Sequence, residues 1–375
     1  MPSRLRTFLT YIGAVGVVVA AIVVLVGAQQ PSSITSSSPT AETAQVANAS
    51  LPSEATPPET AQLSPPSPNT EQSIASVART QDPYPFPQES FPVIREKTHA
   101  ALVNIFCTTS GGSFQSTSGS GVVIDPRGII LTNAHVAQYV LLAQSSRTDL
   151  SCFIRYGAPA QALWEAEVLY IPPVWIEEHA VDITNASPTG TGEHDYALLR
   201  ITRPAGDLSA APEPIRIPSL PFDTREAIAF PSDFVLAASY PSEFIGGTAP
   251  YFNLFPVSSI APIGELLTFE ARSVDLISLR GVAEAQSGSS GGPVVNAWGY
   301  LVGIITTTSE GATTADRELR AITLSYINRD LVTQAGLDIS DILSGNVEAR
   351  AAEFEAKQAP ALVQALVDEL SKRSR

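Results

Sequence analysis

Three short segments carry residues whose types could do chemistry together. In Gly288-Ser-Ser-Gly-Gly-Pro293 a serine stands among glycines. A serine hydroxyl is a weak nucleophile until a base takes its proton and the resulting oxyanion is stabilised. Flanking glycines let the backbone turn tightly enough for two N–H groups to converge on one point. Ser290, followed directly by Gly-Gly-Pro, is the candidate nucleophile; Ser287 and Ser289 are its near rivals. The N–H groups of Gly288 and Ser290 are the candidate oxyanion donors. The same composition also suits a plain polar loop.

The second segment is Gly128-Ile-Ile-Leu-Thr-Asn-Ala-His-Val136. Of the four histidines, His99, His135, His179 and His194, only His135 ends a predicted strand and opens a predicted helical turn. Imidazole titrates near neutral pH, as a general base must. The third segment is Glu193-His-Asp-Tyr-Ala-Leu-Leu-Arg-Ile201. Asp195 heads an apolar strand, where a buried carboxylate could hold an imidazole in one tautomer. Asp182 competes for that role, but a less regular strand follows it. His194 is Asp195's neighbour, and neighbours on a strand face opposite ways; it is therefore not expected to be the partner.

These residues need a scaffold, and the pattern around them is one of short strands. Residues 101–107, 121–124, 129–132, 152–156, 197–201, 234–237, 294–296 and 301–307 are β-branched or aromatic runs, mostly bounded by Gly, Pro, Asn or Asp. Residues 292–304 read as a hairpin turning at 296–299. No convincing long helix interrupts residues 88–345, which argues against a parallel sheet. About 260 residues of this kind suit a pair of barrels or a sandwich.

The flanks differ from this body. Phe8 to Ala28 is a 21-residue run without a charge, preceded by Arg4 and Arg6. It is long enough to span a hydrocarbon core, with its basic end kept cytoplasmic. Residues 1–30 therefore read as a single-pass transmembrane signal-anchor helix, the alternative being a cleaved signal peptide. Residues 31–87 are rich in Ser, Thr, Pro and Ala and read as a disordered stalk. Residues 346–375 show apolar positions at helical spacing, interrupted at Pro360, and read as two short amphipathic helices. They would dock on the body or meet a partner.

Charge excludes some functions. The chain has 375 residues and a net charge of −15, of which residues 84–346 hold −13. Nucleic acid and anionic lipid surfaces both call for a basic footprint, so neither is an expected partner of this body. Two cysteines exclude four-cysteine zinc modules. No ligand spacing suggests a metal, and no cofactor is expected.

Taken together and in the order His…Asp…Ser, these motifs resemble the chymotrypsin-fold (trypsin-like) serine proteases, most closely the bacterial HtrA/Deg-like branch. The resemblance rests on Ser118-Gly-Ser-Gly-Val-Val-Ile-Asp125, residues 128–136, Asp195-Tyr-Ala-Leu-Leu-Arg200, residues 288–296 and Val302-Gly-Ile304. It spans about 95–330. It implies an all-β fold of two six-stranded antiparallel β-barrels with the site in the cleft between them. His135 would be the base, Asp195 its orienter and Ser290 the nucleophile. Thr306 would lie near the buried aspartate, and Thr306, Thr307 and Thr308 would pair with substrate backbone. Polypeptides would be the substrates, and the span would tether the protease to the membrane, facing the periplasm or the exterior. Cys107 and Cys152 would be either bridged, as strands beside the catalytic histidine are in animal relatives, or two buried thiols.

The chain also departs from the family. Ser289 stands where animal members have Asp and HtrA-like ones usually Asn, so the ordering of the oxyanion loop needs another source. Too few residues follow Asp330 for a PDZ module. Glu284, six residues before Ser290, is either a specificity residue for basic side chains or an exposed loop carboxylate. Two other functional classes compete. A catalytically inactive trypsin-like binding module would usually have lost a member of the triad. An α/β-hydrolase esterase would need a histidine after Ser290, and none follows.

Overall fold

The computed structural model describes residues 72–73, 81–109, 116–183, 185, 190–206, 216–226, 228–242, 253–269, 273–280, 282, 287–308 and 318–373. Residues 1–30, expected to cross a membrane, lie outside them. Among the described residues no helix is long and apolar enough to cross a membrane.

Two closed barrels make up the body. Strands β2 (Leu102–Thr109), β3 (Thr117–Asp125), β4 (Ile129–Thr132), β5 (Leu150–Tyr156), β6 (Gln161–Tyr170) and β7 (Ala197–Pro204) close in the order β2-β3-β4-β7-β6-β5. The second barrel uses β8 (Phe234–Ser239), β9 (Val257–Thr268), β10 (Leu276–Arg280), β11 (Pro293–Asn296), β12 (Leu301–Thr308) and β13 (Glu318–Thr323). Its order is β9-β10-β13-β12-β11-β8, and β8 pairs back onto β9. Every pairing between these named strands is antiparallel. A two-residue strand β1 (Gln72–Ser73) adds to the end of β9. The expected pair of barrels is therefore present, and a sandwich is not.

Period-2 alternation explains why the second barrel faces inward and toward its neighbour at once. Ala237, Ile277, Val294, Ile305 and Ala321 fill its interior. The residues beside them, Leu236, Leu276, Val295, Ile304 and Ile322, join the core of the first barrel. Both faces of these strands are buried, so they read as unbroken apolar runs.

Helices are more prominent than the strand-rich pattern suggests. α1 (Phe91–Ala101) precedes the first barrel, α2 (Ala134–Gln144) leaves β4, and α3 (Pro173–His179) lies between β6 and β7. α4 (Leu324–Ala335) follows β13, capped by Thr323 Oγ1 on the Tyr326 N–H and ended by Gly336 at φ 70°. The expectation of no long helix fails at α2 because Ala-His-Val-Ala-Gln-Tyr-Val-Leu-Leu is apolar almost all round. A helix buried on every side shows no amphipathic stripe. α5 (Ile339–Ser344), α6 (Val347–Lys357) and α7 (Ala359–Arg373) form the tail, with the break at Gln358 just ahead of Pro360. The tail docks on the first barrel: Val347, Ala351, Phe354, Leu362 and Leu366 are buried in its core cluster.

Cys107 and Cys152 form a disulfide between registered positions of β2 and β5. The packed body begins earlier than residue 88. Tyr84 is 9% exposed, and its hydroxyl donates to Asp223 at 2.7 Å and accepts from Asn296 Nδ2 at 3.1 Å. Its ring stacks on Tyr300 at 4.7 Å.

Candidate active site

Asp195 is placed by a turn between the barrels rather than by a strand. Gly192 takes φ 91° and His194 φ 57°, a left-handed conformation that costs a non-glycine residue energy and persists only where contacts over-determine it. Asn133, just before α2, donates its amide to the Asp195 carbonyl at 2.8 Å instead of capping the helix. The carboxylate is thereby turned to the first turn of α2. Its Oδ1 accepts the His135 backbone N–H at 2.9 Å, and its Oδ2 lies 2.8 Å from His135 Nδ1. Thr306, on β12 of the other barrel, donates its hydroxyl to the same Oδ2 at 2.8 Å. Burial alone would raise the Asp195 carboxyl. The facing His135 and these donated hydrogen bonds more than reverse that and hold it below the ordinary carboxylate range.

Asp182, the competing carboxylate, sits on a 3₁₀ turn at Ala180–Asp182, and it is Asp195 that meets His135. His179 stacks on Trp175 at 4.9 Å and points Nδ1 to that residue's carbonyl. His99 is pulled below its ordinary value by burial and by Arg95. His194 does not partner Asp195, but the physical reason differs from strand alternation, because neither residue lies in a strand. The imidazole Nδ1 lies 2.9 Å from Asp330 Oδ2 on α4, and the His194 N–H donates to the Tyr326 hydroxyl at 3.1 Å. No motif announces this second pair; its members are 136 positions apart.

Ser290 lies in the loop that leads into β11. Gly288 takes φ 90° and Gly291 φ 84°. A Cβ on Gly291 would stand 2.1 Å from the Ser120 carbonyl oxygen, so only glycine fits there. Ser290 Oγ donates to the Thr306 carbonyl at 3.4 Å. Among the described residues no hydrogen bond joins Ser290 Oγ to His135; the structure brings His135, Asp195 and Thr306 into contact, and Ser290 meets that group through the Thr306 carbonyl. Ser289 is 1% exposed, with its hydroxyl 3.0 Å from that of Ser239 on β8. It thus fastens the underside of the loop without a carboxylate.

Between Ile305 and Thr308 the register of β12 against β13 shifts, which places residues 306–308 at an irregular stretch beside the loop. Glu284 lies outside the described residues. Among the described residues no three His, Cys, Asp or Glu side chains cluster as metal ligands do.

Residues 119–304 match the family model described as a trypsin-like peptidase domain. Among solved structures, the chain resembles one of Deg5, with 17% identity over 64% of this chain and 92% of that one, at a TM-score of 0.42. It also resembles Rv3671c from M. tuberculosis H37Rv, in a serine-to-alanine mutant described as an inactive form. That match has 18% identity over 67% of this chain and 96% of that one, at a TM-score of 0.40. No curated protein matches the chain.

Proposed function

Because the chain belongs to the trypsin-like serine peptidases, we propose that it hydrolyses peptide bonds through His135, Asp195 and Ser290, as a membrane-tethered enzyme working outside the cytoplasm. The observation that carries the reading is the Asp195 carboxylate, held in the cleft by the His135 backbone and ring and by Thr306. A carboxylate so fixed sets the His135 tautomer, with the proton on Nδ1 and the Nε2 lone pair open toward the cleft.

Catalysis begins with rotation of the Ser290 hydroxyl from the Thr306 carbonyl toward Nε2. As Oγ attacks the scissile carbonyl, His135 takes its proton and Asp195 stabilises the imidazolium. The N–H groups of Gly288 and Ser290 receive the developing oxyanion. Collapse of the tetrahedral intermediate breaks the C–N bond, and the amine leaves with the proton from His135. Water, deprotonated by His135, then hydrolyses the acyl-enzyme and restores Ser290. Residues 306–308 add the substrate to β12 as an extra strand.

Export is supported by the 21-residue apolar run with its basic flank and by the Cys107–Cys152 bridge, since such bonds persist in oxidising compartments. The reading is tested by labelling the chain with a fluorophosphonate probe. The wild type takes up the probe and cleaves peptides from a library, whereas Ser290→Ala does neither. Labelling or cleavage that persists in the variant overturns the assignment, and a wild type that does neither points to a binding module.

A further inference from the structure

Three consecutive peptide groups must be oriented for the loop before Ser290 to present two N–H groups to one oxygen. The structure ties the carbonyl of each. Ser287 O accepts the Ser242 backbone N–H at 2.8 Å, and Ser289 O accepts the Gly292 backbone N–H at 2.9 Å. In a trans peptide the C=O and N–H point opposite ways. These two bonds therefore turn the Gly288 and Ser290 N–H groups to the other side of the loop.

Among the described residues no backbone N–H donates to the middle peptide, between Gly288 and Ser289. Its carbonyl accepts the Ser120 hydroxyl at 2.8 Å. Ser120 belongs to β3, so this bond crosses from the first barrel to the second. The hydroxyl is committed at both ends, because it accepts the Tyr240 N–H just past β8 at 2.9 Å. The Ser120 backbone N–H donates to Ser290 O at 2.7 Å, and its carbonyl accepts Thr132 Oγ1 at 2.7 Å. Ser120 itself is fully buried.

We propose that Ser120 is a positioning residue for the oxyanion loop: the barrel that carries His135 sets, through this hydroxyl, the shape of the loop that carries Ser290. This rests on the reading of Gly288 and Ser290 as oxyanion donors. Ser289, standing where animal relatives have Asp and HtrA-like ones usually Asn, sets its hydroxyl against another hydroxyl, and Ser120 supplies a constraint from the opposite barrel. Removing its hydroxyl leaves two buried groups, the Gly288 carbonyl and the Tyr240 N–H, without a partner. Such groups are costly unless they move, and the middle peptide is free to rotate.

The test compares Ser120→Ala, Ser290→Ala and the wild type on a fluorogenic peptide that the wild type cleaves. In Ser120→Ala, kcat falls on the order of 10²-fold, the effect of losing an oxyanion donor, while KM stays within about threefold. A peptide boronate, whose tetrahedral adduct places an oxygen in the hole, binds more weakly by at least about tenfold. The same peptide with a reduced CH₂–NH bond at the scissile position has no oxygen to place there and loses less than about twofold. A general loss of structure weakens both ligands alike and overturns the proposal, as does a Ser120→Ala enzyme with wild-type kcat and boronate affinity. Should the alanine variant not fold, Ser120→Cys keeps a weak donor at the site and is read by the same boronate-to-reduced-peptide ratio. If the broader reading fails instead, the wild type is inactive and Ser290→Ala changes nothing.

Discussion

Two histidine–aspartate pairs lie one residue apart in this chain, and their central contacts are nearly the same: 2.8 Å for His135–Asp195 and 2.9 Å for His194–Asp330. Everything around those contacts differs. Asp195 takes two further donors, from the His135 backbone and Thr306, so its charge is secured independently of the imidazole ring. His194 stands among acids instead. Burial draws its pKa down, but the bond to Asp330 and the charges of Asp330, Glu193 and Glu178 more than reverse that, and the net shift is upward. Its Nε2 faces Glu193 Oε1 at 3.9 Å, where a nucleophile would have to be. A histidine–carboxylate contact is thus compatible with two opposite tasks. One pair holds an imidazole at the candidate nucleophile's cleft; the other favours the charged form of its histidine and ties α4 to the turn that aims Asp195.

The largest effect that would sharpen this contrast is on turnover. His135→Ala is expected to lower kcat/KM for peptide cleavage by about 10⁴-fold or more, and His194→Ala by less than about tenfold, because it disturbs the turn but touches no reacting atom. Equal losses in the two variants would erase the distinction.

Next comes the second anchor of Asp195. Thr306→Val removes one hydrogen bond from a buried, charged acceptor, a cost of about 1–3 kcal/mol. Roughly a tenfold fall in kcat is expected, with the His194 pair untouched. An unchanged kcat would show that the backbone N–H alone suffices.

The smallest effect separates the pairs by pH. The folded-state pKa of His194 is raised, so the stability its pair contributes is fully present below about pH 6.5, the unfolded value, and is lost as pH rises through the folded one. The melting-temperature gap between wild type and His194→Gln should therefore be widest below about pH 6.5 and narrow as the pH rises above it, amounting to about 1 kcal/mol at most. Asp195 behaves with the opposite sign. Its carboxyl is lowered, so its contribution is present above about pH 4 and lost as pH falls further. A His194 gap that widens with rising pH would mean that this imidazole is held neutral.

The candidate site residues were legible because each stands in a short segment of strong local character: a glycine-bracketed serine, a histidine at the end of a buried strand, an aspartate ahead of one. Strands buried on both faces, such as 129–132 and 294–296, were legible for the same reason. β6 was not. Its outward face carries Glu165 and Glu167, whose partners Arg203 and Arg200 come from β7, and a strand half covered by cross-strand ion pairs breaks the apolar run that marks its neighbours. β9, with Gly264, Glu265 and a proline inside it, hides similarly. The roles of Ser120 and His194 depend on partners 168 and 136 positions away. Local pattern holds no record of such pairs, because folding brings them together only when the barrels and α4 have closed.

The clasp at Tyr84 has a mechanical consequence. Its hydroxyl is held by Asp223 and Asn296, its ring by Tyr300, and the Arg225 guanidinium lies over it at 5.1 Å. Asn296 ends β11, a strand about 10 Å long at roughly 3.3 Å per residue, and Ser290 lies three residues ahead of its other end at Pro293. Tension that has stripped β1 from β9 enters the second barrel next at the tip of the 293–308 hairpin. It is borne there by side-chain contacts, and the loop that holds Ser290 lies at the other end of β11.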